Sequence, residues 1–166
     1  MDNGYQHLWR VGESAPVDGQ AQITWLLDRR FYSVTTALPD DATVVFVEIG
    51  ANDPNFNLRP EPAFIFRTGS PDGASFASVI EPHGEYNPTV EYVVGSHSNV
   101  RSITHVEAGA ADLVVVETRD GQRVGLGIAG ESAADAAHSV SFEGEEFAWS
   151  GPYKLFHSHI HIDGGR

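Results

Sequence analysis

The sequence predicts an all-β fold: an antiparallel β-sandwich in a single domain, with short loops and at most one short helix. Three observations carry that expectation. Apolar residues alternate with a period of two along most of the chain. Turn signals return about every 8–12 residues, the spacing of a sandwich or barrel. Helical patterning is almost absent.

In chain order, Gln22–Leu27 and Phe31–Thr36 are rich in β-branched and aromatic residues, which suit a pleated, half-buried surface. Val44–Ile49 and Ala63–Phe66 are short apolar runs bounded by turn residues and read as core strands. The segment 51–62 carries three prolines, three asparagines and Arg59, which suits a shaped loop. Leu113–Thr118 and Arg123–Ile128 flank Asp120-Gly121, a hairpin signal whose two central positions favour positive φ. Val140–Phe142 and Glu145–Trp149 repeat the arrangement around Glu143-Gly144. The one helix candidate, Glu131–His138, spans barely two turns and has no large apolar face, which fits a short surface helix or an ordered loop between two hairpins.

Composition bounds the function. The 166 residues include 10 Lys and Arg against 23 Asp and Glu, a net charge of −13 that argues against nucleic acid and anionic membrane as partners. The lack of cysteine excludes disulfides, thiolate zinc sites and a cysteine nucleophile. No apolar run approaches the ~18 residues of a membrane span, and the first residues carry no signal-peptide pattern.

Three polar clusters are the candidate sites. Asn52, Asn57 and Arg59 offer amide and guanidinium donors to a carboxylate or a sugar hydroxyl; equally, they fit a loop that bonds to itself. His83 and Tyr86 lie in a tight turn bounded by Pro82 and Gly84, as a proton-transfer pair or as a strand corner. His157, His159 and His161 share one face if their segment is a strand. Two neighbouring imidazoles can then meet on a zinc or nickel ion, with Asp163 or an adjacent strand completing the set, or all three face water. Apart from that ion no cofactor is expected. Gly125-x-Gly127-x-x-Gly130 matches the dinucleotide fingerprint by letter, but it follows a hairpin rather than opening a βαβ unit, so no dinucleotide is expected either. Exposed members of the aromatic set Trp9, Trp25, Tyr32, Phe147, Trp149 and Tyr153 would be able to stack sugar rings.

Four stretches carry a family resemblance: Asp28–Tyr32, Gly50–Arg59, Glu81–Gly84 and Phe147–Tyr153. With the residues between them, roughly 4–156, the chain resembles the C-terminal β-sandwich region of heparinase II/III-like polysaccharide lyases, closest to the oligoalginate lyases. The resemblance implies β-elimination on uronate polysaccharides. That chemistry needs a neutralised carboxylate, a base for the C5 proton and an acid for the departing O4. It also implies a cleft between an (α/α) toroid and the β-region, with the catalytic groups on the toroid and the earlier strands. This chain has no segment that would build a toroid. The expected function is therefore a structural or accessory module, inactive alone, with 1–156 as the sandwich and 157–166 as a His-rich strand or tail. The alternatives are a carbohydrate-binding module for acidic glycans and a minimal lyase. The implied partners are an acidic polysaccharide or oligosaccharide, a helical toroid domain or subunit, and a second copy in a homodimer. The parent family implies a periplasmic or extracellular setting.

Overall fold

The computed structural model describes residues 8–50, 60–71 and 73–159. The described residues are all-β, and every strand pairing with a defined register is antiparallel. Two compact units divide the chain: Met1–Ala21 with Leu38–Ser75, and Gln22–Ala37 with Phe76–Arg166.

The first unit holds a three-stranded sheet in the order β1 (Leu8–Glu13), β4 (Thr43–Gly50), β5 (Pro60–Arg67). The apolar run of β4 occupies the centre, where Val44, Val45 and Val47 are buried. A bulge between Arg10 and Gly12 shifts the β1 register against β4. Glu13 gathers the edges: it accepts from Arg67 at 2.9 Å, from Thr43 at 2.8 Å and from Arg10 at 2.6 Å.

The second unit contains the sandwich. Its larger layer runs β14 (Tyr153–His159), β11 (Gln122–Ala129), β10 (Ala111–Thr118), β9 (Val100–Ala108). The hairpin of β12 (Ala137–Phe142) and β13 (Glu145–Ser150) covers one face of it. Leu113 and Val115 of β10 meet Val140, Phe147 and Trp149 of the hairpin, with Phe156 of β14 packed against them. Period two explains this core, since Leu113 and Val115 point one way and Val114 and Val116 the other.

The glycine motif acquires a physical purpose here. Gly127 stands opposite Leu113 and Gly125 opposite Val115, on the face that receives the hairpin. A Cβ on Gly127 would lie 2.9 Å from three ring atoms of Trp149, and one on Gly125 would lie 2.9 Å from Phe147 Cε1. The two glycines thus form a trough in the sheet that two aromatic rings fill. Gly127→Ala overpacks this interface, and a loss of about 2 kcal/mol in denaturant midpoint experiments is the expected result.

Two local expectations change. The segment 131–138 forms a single 3-10 turn at Glu131–Ala133, and β12 already begins at Ala137. Eight residues without a large apolar face cannot repay helix nucleation, whereas His138 gains a place beside Trp149, their rings 5.1 Å apart. The Asp120-Gly121 connection is a three-residue loop with only Gly121 at positive φ. Thr118 stabilises it, its Oγ1 accepting from the Gln122 amide at 2.9 Å and bonding to Asp120. The tight two-residue turn, positive at both positions, occurs instead at Glu143-Gly144.

The remaining sheets of this unit are β2 (Gln20–Leu27), β3 (Arg30–Ala37) and β6 (Ala77–His83) in that order, and the short pair β7 (Glu85–Asn87) and β8 (Tyr92–Val94). Among the described residues no helix is long and apolar enough to cross a membrane.

Candidate functional site: the corner of the second unit

The turn joining β2 to β3 consists of Asp28 and Arg29, both at positive φ (46° and 69°). Such values are uncommon for residues with a Cβ and cost about 1–2 kcal/mol each. The surroundings hold the turn in place. The Tyr86 amide donates to the Arg29 carbonyl at 2.8 Å, and the hydroxyls of Thr24 and Ser33 bond across the hairpin at 2.6 Å.

Strand pairing brings the second cluster to the same corner, because Phe31 of β3 stands opposite His83 of β6. Their rings stack with centroids 6.1 Å apart. His83 Nδ1 lies 2.8 Å from the Gly95 carbonyl, which only accepts, so Nδ1 carries the proton. In the neutral ring Nε2 is then the acceptor and takes the Ser33 hydroxyl proton at 2.8 Å. Ser33 in turn receives the Thr24 hydroxyl. This directed chain, Thr24 to Ser33 to His83 to Gly95, fixes the ring and uses both of its nitrogens.

Two residues upstream, Glu81 works on the same neighbouring segment. It accepts from the Ser98 hydroxyl at 2.5 Å and from the Asn99 amide at 3.0 Å. Gly84 completes the clamp, at φ 52° with its Cα against the backbone of residues 94 and 95. A Cβ there would sit 2.1 Å from the Gly95 carbonyl oxygen. Gly84→Ala therefore collides with backbone in a conformation L-residues avoid, and a loss of more than about 3 kcal/mol is the expected outcome by thermal unfolding.

Tyr86 is half-buried on β7, opposite Val93. The structure thus brings His83 and Tyr86 to one corner together with Arg29. Asn52, Asn57 and Arg59 lie outside the described residues. Of the C-terminal histidines, His157 stands opposite Val124 and the backbone of His159 opposite Gln122, so the described part of the His-rich segment belongs to β14. The side chain of His159 and all of His161 lie outside the described residues. Among the described residues no three His, Cys, Asp or Glu side chains gather as a metal ion requires.

Sequence reasoning had not singled out Arg29 and Arg30 as site residues. The available signal was an Asp-Arg pair between two strand patterns, where a two-residue turn demands positive φ.

Over 162 residues, 98% of its length, the chain is 42% identical to an alginate lyase of Stenotrophomonas maltophilia (strain K279a). The chain is similar in sequence to part of that lyase. A second relative, an exo-oligoalginate lyase of Saccharophagus degradans, is 42% identical over 153 residues, or 90% of the chain. The chain spans about a fifth of the length of these curated relatives, with 21% of each covered. No family description matches the chain. The resemblance drawn from Asp28–Tyr32 and Glu81–Gly84 thus extends along nearly the whole sequence, and the fold places those two stretches side by side.

Proposed function

We propose that this chain is a non-catalytic β-module of an alginate-type polysaccharide lyase, working beside a helical toroid that supplies the elimination chemistry. The observation that carries this reading is the coverage: almost all of this chain matches only a fifth of each relative. The chemistry of the corner agrees with it. A base for the C5 proton needs a free acceptor in reach of the sugar, and His83 spends Nε2 on Ser33 and Nδ1 on Gly95. The substrate of the assembled enzyme is an acidic polysaccharide or oligosaccharide.

Apolar surface supports the partner half of the reading. On the sheet of the first unit, Trp9 is 49% exposed and Phe46 43% exposed. Exposed large apolar groups grouped on one sheet suit contact with a second body, here the toroid domain or a second copy.

A replacement experiment tests this directly. The matched fifth of the Saccharophagus degradans exo-oligoalginate lyase is exchanged for this chain, and in a parallel variant it is deleted. The exchange is expected to give a soluble enzyme that cleaves oligoalginate, and the deletion an unstable or inactive one. A folded but inactive exchange variant, or full activity after deletion, contradicts the reading.

A further inference from the structure

The open face of the β2-β3-β6 sheet carries an arrangement that the module's structural duties do not require. Alternation along the strands puts Trp25 and Leu27 of β2 on that face with Arg30 and Tyr32 of β3. The β3–β6 register adds Pro82 opposite Tyr32 and Ile80 opposite Val34. The reverse face holds Ser33, Thr35, Glu81 and His83, the first two almost fully buried; on the first face Val34 and Thr36 are buried too, so that face is open only at the end near the β2–β3 turn. Ile80, by contrast, is 65% exposed.

Trp25 and Tyr32 lie stacked across the hairpin, with centroids 5.8 Å apart and planes 16° from parallel. Each ring fixes the other, yet Trp25 remains 37% exposed, with its outer face free of Tyr32. A fixed, partly exposed indole has already lost the rotamer freedom that binding would otherwise cost. Arg30 is two residues from Tyr32 on the same strand and face, and Arg29 sits in the adjoining turn. Both are exposed, and neither guanidinium is in an ion pair among the described residues.

Charge decides the occupant. The chain has 23 acidic residues, yet alternation places none of them on this face. In a protein of net charge −13, a face whose strands present no carboxylate, with Arg30 on it and Arg29 beside Asp28 in the adjoining turn, is a local exception that favours an anion. An aromatic ring beside a guanidinium matches a pyranose that bears a carboxylate: the C–H face rests on the indole, and the carboxylate takes a bidentate contact.

We propose that this face is a stacking platform for a uronate oligosaccharide, with the outer face of Trp25 under the sugar ring and Arg30, supported by Arg29, on its carboxylate. The proposal deepens the lyase reading and rests on it for the substrate class. Within the larger enzyme the platform would hold chain outside the catalytic cleft.

The test is calorimetric titration of the full chain with an alginate-derived tetrasaccharide and with its carboxyl-reduced, neutral counterpart. Trp25→Ala, Arg30→Gln and Tyr153→Ala are titrated in parallel, and each variant's fold is checked by circular dichroism. Binding of the uronate is expected, weakened about tenfold by Trp25→Ala and about tenfold by Arg30→Gln, with Tyr153→Ala unchanged and the neutral sugar at least about tenfold weaker. Should Trp25→Ala fail to fold, Arg30→Gln and the neutral sugar still decide. Wild-type affinity in Arg30→Gln and Trp25→Ala would place uronate binding elsewhere, overturning the platform while leaving the lyase reading intact. Equal binding of the neutral sugar overturns the assignment to uronates. No binding by the wild-type chain overturns the platform and leaves a protein partner as the occupant of this face; the replacement experiment judges the lyase reading separately.

Discussion

Phe147→Ala is expected to destabilise the chain by about 4 kcal/mol, the largest loss from any single truncation in its sandwich. Phe147 is 2% exposed, between the hairpin and the four-stranded sheet. Its ring meets Phe156 edge-on at 5.2 Å and sits over Gly125, so truncation removes contacts on both layers at once. The site resists collapse. Gly125 has no side chain to move into the space, and Trp149 is fixed over Gly127 beside it. Phe147→Leu keeps most of the volume and should cost less, about 1–2 kcal/mol. Denaturant unfolding monitored by near-ultraviolet circular dichroism distinguishes the two; an alanine variant within about 1 kcal/mol of wild type would contradict this packing.

The second large effect is electrostatic. Arg123 is buried at the end of β11, and three carboxylates converge on it. Its Nε donates to Glu117 at 3.0 Å and its Nη1 to Glu145 at 3.2 Å, while Nη2 bonds to Glu117 and Glu143. The guanidinium also lies over the Phe142 ring, 5.4 Å from its centroid. Burial opposes its charge, but the hydrogen bonds it donates to Glu117, Glu145 and Glu143 outweigh that and raise its pKa, so it stays charged. Arg123→Met keeps much of the stem's packing but strands Glu117, whose side chain is nearly as enclosed as its partner's, beside two further negative charges. Removing one partner of a buried pair typically costs about 3–5 kcal/mol, and a loss in that range is expected at neutral pH. Removing the stranded charge as well, in the double variant Arg123→Met with Glu117→Gln, should narrow the deficit. Melting temperatures of the single and double variants read this, and a double variant no more stable than Arg123→Met would show that lost packing, not charge, is responsible.

Most of the fold was legible in the sequence because period-two patterning and turn residues are local signals. Eight strands coincide with runs recognised from pattern alone, among them the β10–β11 and β12–β13 hairpins. What escaped was decided by partners distant in sequence. Gly125 and Gly127 match a dinucleotide motif by letter that their hairpin context already rules out, but only the rings of Phe147 and Trp149 account for them. Whether His138 ends a short helix or opens a strand is decided by Trp149, whose ring lies 5.1 Å from its own.

The site followed the same division. His83 and Tyr86 stood out by residue type, yet their meeting with Arg29 depends on the β3–β6 register and the Tyr86–Arg29 backbone bond. No spacing rule could show that Ser33, fifty positions away, would occupy His83 Nε2. Trp25 and Tyr32 were recognisable as sugar-stacking types, but which face stays open is set by tertiary packing.

The measurement that bears most directly on the proposed role is the ultraviolet absorbance of unsaturated uronate after the purified full chain is incubated with oligoalginate. A module whose chemistry resides in a partner toroid produces no signal above the substrate blank. Sustained product formation by the chain alone, abolished by His83→Ala in a variant that still folds, would contradict this account and make the corner an active site in its own right.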